Sequence, residues 1–183
     1  RFLPAIALEE IAHFTWSSIP SSVTALSIQF SRRAPLPSNS LPFSMDTVMP
    51  HLKSLTILTD EVGMPDLATW TPNLETCEII ATPAGQMNMS LWRLDLSKLP
   101  TNLTYLRFPS VSRCLASSQR WPPHLTTLHF NSSAETSLPS EEGDWLACLP
   151  PAVTKLHIPF HTQTLPSFNW SFLHLPHLQH LHM

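Results

Sequence analysis

Apolar residues recur along this chain at the first, fourth and sixth positions of a short six-residue segment. The pattern occurs seven times, each copy following a proline by two or three residues. The seven apolar triplets are Val23/Leu26/Ile28, Leu52/Leu55/Ile57, Leu74/Cys77/Ile79, Leu103/Leu106/Phe108, Leu125/Leu128/Phe130, Val153/Leu156/Ile158 and Leu178/Leu181/Met183. Alternate side chains of a strand face the same side, so positions four and six are predicted to face a core. Position one turns inward where the strand begins, and positions two, three and five stay outside.

The spacing of the repeats predicts a solenoid. Successive first positions are 29, 22, 29, 22, 28 and 25 residues apart, and Val23, Leu74 and Leu125 lie 51 residues apart. Self-similarity at such a period indicates stacked units that share one continuous core. The nineteen prolines oppose long helices, so turns and short helical pieces are expected between the strands. Residues 9–14 are the best helical candidate, and Trp70 and Trp121 are expected in the core behind the sheet.

The L-x-x-L-x-L pattern resembles the strand half of a leucine-rich repeat. One segment is also similar to the short FNIP repeats, an alternative subfamily: it reads Leu99-Pro100-x-x-Leu103-Thr104-x-Leu106. The resemblance implies an α/β solenoid with seven parallel strands on its concave side and proline-rich turns and short helical pieces on its convex side. The family consensus places Asn or Cys at the ninth position, where this chain has Ser31, Asp60, Thr82, Val111, Ser133 and His161. A continuous asparagine ladder is therefore not expected.

Both ends of the chain fall within a repeat. Arg1-Phe2-Leu3-Pro4 resembles the end of one unit, and Met183 is the sixth position of the last. Solenoids need polar terminal caps for solubility, and neither end has the pattern of one. Residues 1–183 are therefore expected to form a single leucine-rich-repeat array that belongs to a longer solenoid.

Composition excludes several kinds of partner. The net charge is −3, and only 13% of residues are charged, about half the usual share. No cluster of Lys and Arg exceeds the pair Arg32-Arg33, which argues against a nucleic acid or an anionic membrane surface. No run of 18 apolar residues occurs, so no membrane span is predicted.

The motifs of common enzymes are missing. The sequence contains no G-x-S-x-G, no H-E-x-x-H and no glycine-rich phosphate loop, so we expect no catalytic residue and no cofactor. Its three cysteines, Cys77, Cys114 and Cys148, form no C-x-x-C motif, and their odd number does not indicate a disulfide framework. Cys77 stands at a core position, where a free cysteine acts as a small apolar side chain.

The fifth positions of the repeats form a row that ends in three histidines. The row reads Ser27, Thr56, Glu78, Arg107, His129, His157 and His182. Imidazoles are common ligands of zinc and copper, but a flat row does not converge on one ion and no cysteine or carboxylate joins it at metal-site spacing. We therefore predict no metal site. A pH-sensitive surface is the better interpretation, because neighbouring imidazoles resist joint protonation.

Five outward residues on three consecutive repeats form the predicted partner-binding patch. They are Tyr105, Arg107, His129, Lys155 and His157. Tyr and Arg are enriched at binding hot spots, and adjacent strands would bring these side chains within about 10 Å of one another. Binding there is expected to weaken between about pH 7 and 5 if the partner is basic. The alternative is that these side chains are simply the solvated face of a sheet.

Four asparagines lie in N-x-S/T sequons: Asn88, Asn102, Asn131 and Asn169. Such sequons are glycosylation acceptors in secreted proteins. Together with the low charge they favour a secreted or cell-surface location, whereas the unpaired cysteines leave a cytoplasmic location as the alternative.

Three functions are consistent with these features. The first is a non-enzymatic recognition module that binds another protein on its concave sheet. The second is a structural, glycosylated protein whose arrays assemble with further copies of themselves. The third is the substrate-targeting region of a larger enzyme, such as a ubiquitin ligase.

Overall fold

The strands of this protein form one parallel sheet. The computed structural model describes the backbone of residues 6–7 and residues 19–29, 48–59, 66–81, 95–109, 121–130, 149–158 and 175–182. Within them, eight strands lie side by side in sequence order. The strands are β1 (Ile6–Ala7), β2 (Ala25–Gln29), β3 (Ser54–Thr59), β4 (Thr76–Ala81), β5 (Tyr105–Phe108), β6 (Thr127–Phe130), β7 (Lys155–His157) and β8 (His180–His182).

The predicted repeats align position by position across the sheet. Strands β2 to β8 correspond to the seven repeats, and each is parallel to the next. Fourth positions lie opposite one another, as Leu106 does with Cys77 on one side and Leu128 on the other. The predicted repeat solenoid with parallel strands is confirmed.

The prediction for the start of the chain was wrong in register. Strand β1 contains Ile6, which lies opposite the sixth-position residue Ile28. The sixth position of this unit is therefore Ile6 and not Phe2.

The sheet contributes positions one, four and six of the repeats to the core. Leu103, Leu106 and Phe108, from one repeat in the middle of the array, are each 0% exposed. Burial is lower in the last repeat, where Leu178 is partly buried and Leu181 is 37% exposed. Strand β8 is paired on one side, by β7, so its inward side chains have fewer neighbours than those of an interior repeat.

A tight turn before each strand explains the prolines. The N–H of position one donates to the carbonyl three residues earlier, as in Leu125 to Pro122 at 3.1 Å and Val153 to Pro150 at 3.1 Å. The same bond precedes all of β2 to β8. Two of these turns have a proline at their first residue, three have one at their second residue, and the turns before β6 and β7 have prolines at both. The fixed φ of proline suits the second residue of a turn, which lowers the entropy cost of forming it.

In the described residues, two short helical pieces lie behind the sheet. Helix α1 spans Leu67–Trp70, and a 3₁₀ helix spans Leu96–Lys98. Each is capped by an aspartate: Asp66 accepts a hydrogen bond from Thr69 N at 3.1 Å, and Asp95 accepts one from Ser97 N at 3.1 Å. Trp70 and Trp121 are buried in the core, as predicted. The helical candidate at residues 9–14 lies outside the described residues.

Candidate recognition surface

The outward side of the sheet, which we call the open face, is formed by positions three and five of each repeat. On β5, β6 and β7 these positions alternate with buried residues along each strand. On β5 to β8 they are Tyr105, Arg107, Thr127, His129, Lys155, His157, His180 and His182. All five residues of the predicted patch therefore lie on this face, on three neighbouring strands.

Register brings the row of fifth positions together as the sequence predicted. Glu78 lies opposite Arg107, Arg107 opposite His129, and His129 opposite His157. Lys155 lies opposite Thr127 at position three. Parallel strands are about 4.8 Å apart, so side chains at equivalent positions are close neighbours.

Glu78 is a member of the site that was missing from the predicted patch. Its Oε2 lies 3.6 Å from Nη1 of Arg107, and these side chains are 28% and 32% exposed. Glu78 also forms a side-chain hydrogen bond with Tyr105. The pKa of Tyr105 is raised, first by burial and then by the charge of Glu78, while Arg107 opposes the shift. One carboxylate on β4 thus holds both the tyrosine and the arginine of β5.

The three histidines of the row stack on one another. The ring centroids of His129 and His157 are 4.1 Å apart with the planes 7° from parallel, and those of His157 and His182 are 5.8 Å apart at 18°. The pKa of His157 is lowered, mainly by burial and further by His182 and Arg107. The central imidazole is therefore harder to protonate than an isolated one.

A shallow depression of about 350 Å³ lies over this part of the open face. Its polar lining comes from three strands and consists of Thr127, His129, Lys155, His157, His180 and His182. Lys155 supplies a positive charge, and the threonine hydroxyl and the imidazoles can both donate and accept hydrogen bonds. In the described part of the chain, no group of three or more His, Cys, Asp or Glu side chains is placed to hold a metal ion. The depression is thus a surface for polar contacts.

Threonines at position two hold neighbouring strands together. Thr104 Oγ1 donates to the carbonyl of Glu75 at 3.0 Å, and Thr126 Oγ1 donates to the carbonyl of Thr104 at 3.1 Å. Each of these carbonyls also accepts two backbone N–H groups, from positions two and three of the next repeat. In the repeats of β3 and β4, where position two is Lys53 and Glu75, these two side chains form an ion pair. The threonines at position two are therefore explained by their structural role between neighbouring repeats.

The sequons are only partly within the described residues. Asn102 is exposed, and its Nδ2 donates to Oδ1 of Asn73 at 3.4 Å. Asn73 in turn donates to the carbonyl of Pro50 at 2.9 Å. The other predicted glycosylation sites, Asn88, Asn131 and Asn169, lie outside the described residues.

Cys77 is a buried free thiol on β4. Its pKa is raised to about 12, chiefly by burial and further by the charge of Glu78. A thiol in this environment is a packing residue, because the reactive thiolate is strongly disfavoured. No helix within the described ranges is long and apolar enough to cross a membrane.

Comparison with known proteins finds no matching family model, no matching curated protein and no matching solved structure. Function is therefore inferred from the open face itself.

Proposed function

We propose that this chain is a non-enzymatic recognition module of the leucine-rich-repeat type, which binds another protein on the open face of β5 to β7. The apolar pattern at positions one, four and six supports the family assignment. A fold alone does not specify a function, so the proposal rests on the residues of the site.

The observation that carries the proposal is the side-by-side placement of Tyr105, Arg107, His129, Lys155 and His157 on one exposed surface. Tyr105 and Arg107 are partly buried and held by Glu78. Side chains that are already positioned lose less conformational entropy on binding. Tyrosine and arginine are among the residue types most enriched at binding hot spots, and here they lie next to each other on the same strand.

The proposal is tested by selecting binders to the chain from a random-sequence display library and measuring their affinity for two double variants. In the site variant, Tyr105→Ala and Arg107→Ala are combined. The matched control combines Ser54→Ala and Thr56→Ala, which remove the equivalent positions on β3. We expect the site variant to weaken binding by about 100-fold, since two hot-spot residues are lost, and the control to bind normally.

Stability is the internal control of this experiment. The ion pair of Arg107 with Glu78 is partly exposed, and such pairs contribute at most about 1 kcal/mol. The unfolding midpoint of the site variant should therefore stay close to that of the unmodified chain. Binders that keep their affinity for a folded site variant would contradict the proposal.

The structural and enzyme-targeting functions make different predictions. A self-assembling protein would show a molar mass that rises with concentration in light scattering, whereas a recognition module would not. A targeting region would be joined to a catalytic domain in the full-length sequence. The observations on the open face favour the recognition module over both.

A further inference from the structure

We propose that the open face of β5 to β8 binds an extended acidic peptide segment, whose alternate carboxylates contact Arg107 and the three stacked histidines. This inference rests on the proposed function and specifies the chemistry of the partner. It extends the binding surface by one strand, to His180 and His182.

The charge pattern of these strands carries the inference. Two outward positions on each of four strands give eight side chains, of which two are permanent cations and four are histidines. None of the eight is Asp or Glu. The second positions of the same repeats, Thr104, Thr126, Thr154 and Gln179, are also neutral. The whole chain has a net charge of −3, so this concentration of cationic and titratable groups is local.

Glu78 marks the boundary of the acid-free area. It lies on β4, opposite Arg107, and its carboxylate contacts Arg107 from that side. Beyond Arg107, the row continues to His129, His157 and His182 without a carboxylate. A ligand with negative charge would meet repulsion at β4 and attraction from β5 onward.

The length of the row matches an extended peptide. From Arg107 to His182 there are three strand spacings, roughly 14 Å. In an extended chain, the first and fifth residues lie on the same side and are about 14 Å apart. Acidic residues at alternate positions would therefore place three carboxylates along the row. The open depression over β6 to β8 leaves room for the peptide backbone.

Other anionic ligands fit this surface less well. Nucleic-acid binding depends on several permanent cations that neutralise phosphates. The eight positions hold two, Arg107 and Lys155. A free phosphate needs a compact site, whereas the donors here are spread over an exposed sheet. A peptide with spaced carboxylates matches the distribution.

Binding of such a peptide should strengthen as the pH falls. The charged and titratable groups around His157 are His129 and His182 on the adjacent strands, Lys155 on its own strand, and Arg107 farther along the row. Burial, and then the charges of His182 and Arg107, lower the pKa of His157 and so disfavour its charged form. A carboxylate placed against it would favour the charged form. Binding is then coupled to proton uptake, and affinity rises as the pH falls through the histidine range.

The test uses three fluorescein-labelled twelve-residue peptides, in which threonine alternates with Asp, Ser or Lys. Each is titrated with the full chain in low salt at pH 7.5 and 5.5, where Asp remains ionised. We expect that only the Asp peptide binds and that its affinity is about tenfold higher at pH 5.5 than at pH 7.5. A variant with His129→Gln and His157→Gln should lose most of that pH dependence. The matched control, His51→Gln with His124→Gln, changes two exposed histidines that precede strands and should behave normally.

The outcomes separate this inference from the proposed function. No binding of the Asp peptide, or equal affinity at the two pH values, would overturn the inference. Library binders without acidic residues that still require Tyr105 and Arg107 would overturn it and leave the proposed function intact. If no selected binder depends on those two residues, both fail. Tighter binding of a twelve-nucleotide single-stranded DNA than of the Asp peptide would overturn the inference in favour of a nucleic-acid ligand.

Discussion

Leucine truncation along the fourth-position row should show how the array is stabilised. Leu106 and Leu128 are each 0% exposed and have a neighbouring strand on both sides, whereas Leu181 on β8 is 37% exposed. Replacing either interior leucine by alanine removes apolar contacts and leaves a cavity within a packed core. The expected loss is about 2–5 kcal/mol of unfolding free energy for each.

The same change at Leu181 should cost much less. Roughly two thirds of its surface is covered, and solvent can fill the space that alanine leaves, so only part of the transfer free energy is lost. We expect a loss of about 1 kcal/mol. Urea denaturation of the three variants, followed by circular dichroism, measures the differences.

The refuting result is equal destabilisation at the three positions. It would mean that the last repeat is packed as tightly as the interior ones. The picture of a one-dimensional array, in which each repeat is stabilised by its immediate neighbours, would then be wrong.

Three further predictions concern single features. Thr126→Val should cost at most about 1 kcal/mol in urea denaturation, because the carbonyl of Thr104 keeps its two backbone donors; a loss above about 2 kcal/mol would contradict this. The thiol of Cys77, with a pKa raised to about 12, should not react with iodoacetamide at pH 8 until the chain unfolds, as peptide mass spectrometry can show. If the protein is secreted, natively produced material should lose mass on glycosidase treatment, from glycans on Asn88, Asn131 or Asn169; an unchanged mass would favour the cytoplasmic alternative.

The sheet could be predicted because the same apolar pattern occurs in every repeat. Apolar residues at positions one, four and six fix which side of a strand is buried, and a slip by one residue would expose them. Seven copies in one phase therefore determine both the strands and their register. The first unit could not be placed in this way, since Arg1 and Pro4 stand where a leucine would be and the register rests on Ile6 alone.

The sequence predicted which residues lie side by side in the site, but not which of their side chains contact one another. The row from Arg107 to His182 follows from the register, so its members could be named from sequence. The contact of Glu78 with Arg107 depends on side-chain rotamers, and its contact with Tyr105 also requires a diagonal approach between strands. The nearly parallel rings of His129 and His157 likewise depend on rotamers, which the repeat pattern leaves open.

The most direct test of the recognition surface uses the single tyrosine of the chain. Tyr105 is the one tyrosine among 183 residues, so biosynthetic incorporation of 3-fluorotyrosine gives one ¹⁹F signal from the centre of the proposed site. A binder from the display selection is added to saturation, with binding established independently by calorimetry. We predict that the resonance shifts and that Arg107→Ala weakens the binding measured by calorimetry. An unchanged resonance at full saturation would contradict the placement of the partner on the open face.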